Sequence, residues 1–302
     1  MKVAILGAAG FLGRRLGEAM AAAGIDVLAA TRQPAEFGHP RIRNVVAPYA
    51  AKPDFLPLLR DGAAIVHAAS ITTPGSSATQ PQLDGNLKTT LGLLEALQEF
   101  PGNRLLYLSS GGTLYGDSHS PIREDAPLRP RSYHAAGKIA AESFVRAWAA
   151  QYAGTAVILR PSNVYGPGQR PGSGFGVVPT AMRCALERLP FTILGDGRAL
   201  RDYLYVDDFV ALCVAALSAR LAPGVHVYNA ASGRTLELRA LLDRVDAVTG
   251  LPLRREFRPA RAIDVREIAL DNAAARQAFG WAPATGLDAG LRLAWDWFRA
   301  AA

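Results

Sequence analysis

The chain has almost no cysteine: Cys184 and Cys213 are the only two in 302 residues. They lie far apart in apolar, helically patterned surroundings. They therefore read as reduced, buried thiols, and no His/Cys cluster has the spacing of a zinc site. Long hydrophobic runs are also missing. Half of the residues are apolar, yet no run approaches the ~18–20 residues that cross a bilayer. The first residues already carry a strand pattern, which leaves no room for a secretory signal, so the expected compartment is the cytoplasm. Lysine is scarce, and nearly all of the 33 cationic residues are arginine. These arginines are scattered singly, not gathered in a stripe with interleaved aromatics, so the net charge of +7 does not indicate nucleic acid. A few guanidinium groups directed at an anionic small molecule account for the excess. No internal repeat or low-complexity linker divides the chain, and its length fits one large domain or two intimate ones.

What is present is concentrated at the start. Val3, Ala4, Ile5 and Leu6 form a short unbroken apolar run, the pattern of a strand buried on both faces of a parallel sheet. Gly7, Gly10 and Gly13 follow, and then Leu12, Leu16 and Met20 recur at helical spacing. A strand, a glycine turn and a helix start make a dinucleotide site. Gly7 permits the turn, Gly10 lets backbone amides approach the ligand, and Gly13 lets helix and strand pack closely. The amides of Phe11, Leu12 and Gly13, at the positive end of a helix, favour a pyrophosphate.

Further strands are expected over Asp26–Ala30, Asn44–Ala47, Ala63–Ala69, Leu105–Ser109 and Ala156–Arg160, alternating with helices. That alternation predicts an α/β fold with a doubly wound parallel sheet. The small residues Ala68 and Ala69 at the end of the fourth strand leave space for a cofactor. The second strand ends in Thr31-Arg32 with no acid. An acid there would accept a bond from the ribose 2′-hydroxyl, whereas Arg32 suits a 2′-phosphate. NADP is therefore favoured over NAD, against the plainer reading of Arg32 as a solvated side chain. The Gly/Pro-rich segment Pro161–Pro179 marks where the chain leaves the sheet to build a cap.

The chain as a whole resembles the NAD-dependent epimerase/dehydratase family of nucleotide-sugar enzymes, extended short-chain dehydrogenase/reductases of the UDP-glucose 4-epimerase type. The resemblance runs through G-x-x-G-x-x-G at Gly7–Gly13, Val66-His67-Ala68-Ala69, Asn86–Ala96 and Ser109–Gly116. It continues through Lys138–Glu142, Arg160–Gly168, Gly195-Asp196-Gly197, Arg201–Asp208 and Tyr228-Asn229 to Leu270–Trp281. It implies a Rossmann domain over residues 1–165 and a smaller substrate-binding cap over 166–302, with about 201–230 returning to the sheet. It also implies a shared reaction, in which a base takes the proton of a sugar hydroxyl while hydride leaves the same carbon for the nicotinamide. The base is commonly a Tyr four residues before a Lys that holds the nicotinamide ribose and lowers the phenol's pKa.

Here the sequence departs from the pattern. Tyr133 stands five residues before Lys138, and His134 occupies the i,i+4 position. Five residues turn a side chain by about 140° and four by about 40°, so His134 and Lys138 share a face. Either His134 replaces the phenol, which a neutral imidazole can do near pH 7, or a π-bulge returns Tyr133 to the site. A third reading leaves both as helix-surface residues, with redox chemistry impaired. Gly111 stands where the family carries a Ser or Thr, leaving Thr113, or else Ser110, to bond the reacting hydroxyl. Gly112-Thr113 replaces the Asp-Glu pair of sugar 4,6-dehydratases, so elimination of water is not expected. Pro48-Tyr49 replaces an Asp after the third strand, in the adenine pocket.

On the substrate side the resemblance implies that Asn163 binds the diphosphate or sugar. Arg201 and Arg261 would grip the phosphates, with Asp264 near the nucleoside; surface salt bridges are the plainer reading of both arginines. Pro161 would border the cofactor, and Asp202, Asp207 and Asp208 would be structural, capping the helix that starts near Asp208. The expected activity is that of a UDP-sugar 4-epimerase or 4-ketoreductase in polysaccharide synthesis, with no metal and no membrane segment, and the resemblance implies a homodimer. Two rivals stay open: a binding protein that has lost turnover, and an NADPH reductase of a non-nucleotide carbonyl.

Overall fold

The computed structural model describes residues 2–60, 62–76, 78–118, 121–171 and 176–301. Residues 172–175 of the Gly/Pro-rich segment lie outside these. β1 (Lys2–Leu6) is the expected apolar run, with Val3, Ala4 and Ile5 fully buried. α1 (Phe11–Ala22) buries Leu16 and Met20. β2 (Asp26–Thr31) and β3 (Ile42–Val46) follow. α2 (Lys52–Leu59) begins where the Asp54 carboxylate accepts the N–H groups of Ala50 at 2.8 Å and Ala51 at 3.1 Å. β4 (Ala64–His67) stops short of the expected 63–69, so Ala68 and Ala69 lie just beyond its carboxyl end. α3 (Gln80–Gln82) runs through one π-helical turn, Leu83–Leu87, into α4 (Lys88–Leu97). Then come β5 (Leu105–Leu108), α5 (Gly111–Leu114), α6 (Tyr133–Tyr152), β6 (Thr155–Pro161) and β7 (Asn163–Tyr165). The chain continues through α7 (Val177–Glu187), β8 (Phe191–Leu194), β9 (Leu200–Tyr205), α8 (Val206–Ser218) and β10 (Gly224–Ala230). It ends with β11 (Thr235–Glu237), α9 (Leu238–Thr249), β12 (Arg255–Arg258), α10 (Ala273–Phe279) and α11 (Leu287–Ala301).

The chain forms two compact units. The first comprises Met1–Ser110, Ser132–Arg160 and Val210–Tyr228; the second comprises Gly111–Arg131, Pro161–Phe209 and Asn229–Ala302. This division differs from the 1–165/166–302 expectation. Residues 111–131 and 161–165 join the second unit, and the segment that returns is 210–228, not 201–230. The reason is local: β9 pairs with β7 and β11 in a three-stranded sheet of its own.

The first unit holds a seven-stranded sheet in the order β10-β6-β5-β4-β1-β2-β3. The pairs β1·β2, β2·β3, β1·β4, β4·β5 and β5·β6 are all parallel. The strand order reverses between β1 and β4, and in such sheets ligands bind at the carboxyl edge of that switch point. Phe55, Leu58, Leu93, Leu97, Val145 and Trp148 from the flanking helices close one core over the sheet.

α6 is set on this sheet by a buried polar clamp. The Glu142 carboxylate accepts from Arg160 Nε at 3.0 Å, from Arg160 Nη2 at 2.6 Å and from Ser109 Oγ at 2.5 Å. Both charged side chains are 2% exposed. At the helix start the Ser132 hydroxyl accepts the Ala135 N–H at 3.2 Å. A normal N-cap therefore makes Tyr133 the first helical residue.

In the second unit, β8 pairs in parallel with β12 as a separate ribbon. Asp202 accepts from Ser162 Oγ at 2.5 Å, from Ser232 N at 2.9 Å and Oγ at 2.7 Å, and from Arg234 N at 3.0 Å. Asp208 accepts the N–H groups of Ala284 at 3.1 Å and Thr285 at 3.0 Å. These two carboxylates are structural, as expected, but they tie loops to the sheet and α8 rather than cap the helix.

Removing one partner of a buried ion pair strands the other charge, so Glu142→Ala should lower stability by about 3–5 kcal/mol. Glu142→Leu combined with Arg160→Met should lose clearly less, measured by urea unfolding. Equal losses would show that the clamp does not set the helix.

Candidate functional site

The glycine turn has the geometry that its spacing implies. Gly7 has φ +81°, and its N–H reaches Ala30 O at 3.2 Å. A Cβ on Gly7 would sit 2.8 Å from the Ala69 backbone, and one on Gly13 would sit 2.3 Å from Gly7 O. Side chains cannot occupy either place, so backbone lies against backbone from β1 to α1 and β4. Gly10 is the N-cap and provides no side-chain cap, which leaves the first-turn amides at Phe11, Leu12 and Gly13 facing outward for an anion. This cradle fits a dinucleotide pyrophosphate.

Arg32 is exposed beyond the end of β2 and makes no ion pair among the described residues. Arg14, which the sequence did not single out, reaches the same loop from α1: it stacks on Phe37 at 4.8 Å and donates to Glu36 O at 3.0 Å. Tyr49, in the expected adenine position, instead turns inward at φ +52°. Its hydroxyl donates to Val45 O at 2.8 Å and its ring packs 5.4 Å from Phe55. Burial and Asp54 push that phenol up to about 12.

α6 settles the face question. His134, Lys138 and Glu142, spaced by four, are all buried, whereas Tyr133 is 53% exposed. Contrary to one expectation, no π-bulge interrupts the helix between Tyr133 and Lys138, so none returns the phenol to the buried face. The π-turn lies instead at Leu83–Leu87, where a Cβ on Gly85 would strike Ile71 Cδ1 at 1.9 Å. Lys138 Nζ donates to Leu108 O at 2.8 Å, at the carboxyl end of β5, and lies 5.0 Å from the Tyr107 ring centroid. Burial lowers its pKa to about 8, partly offset by Glu142.

His134 Nδ1 is 3.0 Å from Thr72 Oγ1, inside a knot that also contains Gln82 and Asn86. Burial first, and Lys138 second, hold its pKa down at about 4. The imidazole is therefore neutral at pH 7, with a lone pair on one nitrogen. His67, at the end of β4, is buried too. Its Nε2 lies 3.0 Å from Thr90 Oγ1, and its ring meets Tyr107 edge-on at 5.2 Å. Burial and Lys138 lower its pKa to about 3.

Ser110 is half-buried in the first unit, and Thr113 half-buried on α5 in the second. Ser109, not expected in any role, is the one bound to Glu142.

The second unit carries the remaining expected residues. Pro161 is buried at the end of β6, and Asn163 donates to Asp202 O at 2.9 Å. Arg201 donates to the carbonyls of Leu200 at 2.8 Å, Arg266 at 3.4 Å and Val265. Its guanidinium thus orders the 265–266 segment, and burial lowers its pKa. Arg261 and Asp264 form a two-pronged pair at 3.1 and 2.7 Å. That contact matches the plainer salt-bridge reading of Arg261; gripping a phosphate requires Arg261 to exchange its carboxylate partner. Asp264 also acts electrostatically on Arg201. No His/Cys/Asp/Glu group among the described residues has the arrangement of a metal site, and no helix among them is long and apolar enough to cross a membrane.

The model of the NAD dependent epimerase/dehydratase family matches residues 3–231, and the chain belongs to that family. A UDP-glucose 4-epimerase of Mycolicibacterium smegmatis is 32% identical, over 99% of each chain. A dTDP-4-dehydro-6-deoxyglucose reductase of Escherichia coli is 28% identical, over 75% of this chain and 72% of the relative. Among solved structures, the Thermus thermophilus UDP-glucose 4-epimerase complex with NAD superposes with a TM-score of 0.91 at 30% identity, covering all of both chains.

The two histidines generate an acid limb. Their folded pKa values lie below the unfolded value near 6.5, so their contribution is complete above it and is lost as pH falls towards 4 for His134 and 3 for His67. The shifts correspond to effects on the order of 3 kcal/mol for His134 and 5 kcal/mol for His67. The melting temperature should therefore fall between pH 6.5 and 4, and His67→Gln should flatten that fall. An unchanged slope would mean that His67 is not held neutral by its surroundings.

Proposed function

We propose, from membership of that family, that this chain is a cytoplasmic NAD(P)-dependent 4-epimerase of a UDP-sugar, with His134 as its acid/base. The observation that carries the reading is the buried His134–Lys138 pair at i,i+4, on the helix that sends Lys138 to the carboxyl end of β5. The glycine turn lies at the carboxyl end of β1, so both belong to one edge of the sheet.

The amides of Phe11, Leu12 and Gly13 hold the coenzyme pyrophosphate, with Ala68, Ala69 and Pro161 bordering it. Arg32, beside Arg14, meets the adenosine ribose and accepts a 2′-phosphate where NADP is used. Lys138 keeps two N–H donors beyond its bond to Leu108 O and binds the nicotinamide ribose. When bound, the nicotinamide supplies a reversible hydride acceptor. His134 takes the proton of the sugar 4-hydroxyl and returns it to the opposite configuration, while Thr113 or Ser110 bonds that oxygen. Asn163, Arg201 and Arg261 receive the diphosphate, and Asp264, freed from Arg261, the nucleoside. In an imidazole mechanism no phenol has to be ionised, so the position of Tyr133 on the exposed side of α6 is no obstacle.

A second reading, a 4-ketoreductase, is favoured by Arg32 and by the reductase among the relatives, because a reductase consumes NADPH. One assay separates the two. Purified enzyme is given UDP-glucose or UDP-galactose with NAD, and separately a 4-keto nucleotide sugar with NADPH. Interconversion of the UDP-sugars with no net absorbance change is the expected result. Stoichiometric loss of the reduced-nicotinamide band identifies the reductase, and tight UDP binding with neither activity overturns both. In either case Arg32→Ala should weaken NADP more than NAD; equal effects would remove the 2′-phosphate role.

A further inference from the structure

The knot around His134 has one arrangement of protons in which every short contact carries a hydrogen. Asn86 Oδ1 accepts the Ile71 N–H at 3.1 Å, which fixes that amide so that its Nδ2 is the donor. Asn86 Nδ2 then donates to Thr72 Oγ1 at 2.7 Å and to Gln82 Oε1 at 2.9 Å. Gln82 has to present oxygen to Asn86, since the reversed amide would set donor against donor. Its Nε2 has no partner within the protein, so the oxygen alone sets the orientation. The Thr72 hydroxyl has one proton and two lone pairs. Its proton goes to Gln82 Oε1 at 3.0 Å, one lone pair is taken by Asn86, and the other remains for His134 Nδ1 at 3.0 Å. An oxygen whose proton is already committed can only accept, so Nδ1 must carry hydrogen.

We infer that Thr72, Gln82 and Asn86 are positioning residues that lock His134 in its Nδ1–H tautomer, so that Nε2 keeps the lone pair that receives the substrate proton. The three groups sit on the β4–α3 loop, on α3 and in the π-turn, and none is on the helix that carries His134. Gly137 belongs to the same device: a Cβ there would lie 3.0 Å from Gln82 Oε1, so a larger residue on α6 would push the amide away from Thr72. The π-turn has a matching part, since Asn86 meets both Thr72 and Gln82 from that widened turn. The role of the lone pair rests on His134 being the base; the tautomer itself does not.

The test is to label the histidines with 15N and to record the long-range proton–nitrogen pattern of each imidazole at pH 7.5, with His134→Gln identifying the His134 signals. The wild-type protein should show Nδ1 protonated and Nε2 bare. Gln82→Met removes the acceptor of the Thr72 proton, which then turns to Nδ1 and moves the histidine hydrogen to Nε2. The pattern should therefore invert, and turnover should fall by about a hundredfold, the scale of a lost acid/base, with little change in KM. Thr72→Ser keeps the hydroxyl and should retain both the wild-type pattern and most of the activity, while Thr72→Val should give a mixture of tautomers. A bare Nδ1 in the wild type, or a Gln82→Met protein that is folded by its amide spectrum but not inverted, overturns the wiring. Inversion with undiminished turnover leaves the wiring standing but overturns the positioning role, together with the reading of His134 as the base.

Discussion

The architecture depends on the carboxylate of Glu142. It is buried with Arg160 and Ser109, and the pair is tolerable in the interior because the carboxylate accepts three hydrogen bonds, two of them from the guanidinium. The same three bonds join α6 to β5 and β6. One helical turn before Glu142 this puts Lys138 against the end of β5, and two turns before it puts His134 into the Thr72 knot. A shift of α6 by one residue would rotate it by about 100° and take the glutamate away from Arg160 and Ser109, leaving the buried guanidinium unpaired, so the register of the helix is strongly specified. That register is what exposes Tyr133 and buries His134.

On the proposed reading, the chemical consequence is a base of a different kind. A phenol needs a nearby cation to ionise near neutrality, whereas an imidazole is already neutral there and needs only an oriented lone pair. Burial and Lys138 hold the His134 pKa at about 4, which keeps the imidazole neutral at physiological pH but makes it a weaker base than a free imidazole.

Much of this can be read from the order of residues. The run Val3–Leu6, the three glycines after it and the alternation of strand and helix are local features, and each carries its physical reason with it. The i,i+4 spacing of His134, Lys138 and Glu142 is equally local, and the buried column follows from helix geometry alone. The spacing of Arg261 and Asp264 allowed their pairing, though not the strength of its two-pronged form. Other features arise only when separate segments meet. Thr72 and Gln82 carry no periodic or motif signal, and their role appears only when the β4–α3 loop folds against α6. Tyr49 gave no sign in sequence that it would adopt a positive φ and enter the core, because that turn is imposed by packing on Phe55. Asp208 likewise meets residues 284 and 285, far along the chain, instead of its own helix.

The claim on which the account turns is that the histidine, not the neighbouring tyrosine, exchanges the proton. Rapid mixing of NAD-loaded enzyme with UDP-glucose, followed at the reduced-nicotinamide band, measures the half-reaction directly in His134→Gln and Tyr133→Phe proteins. The account predicts that the tyrosine variant forms reduced coenzyme at close to the wild-type rate while the histidine variant is slowed by about a hundredfold or more. The opposite ranking would contradict it.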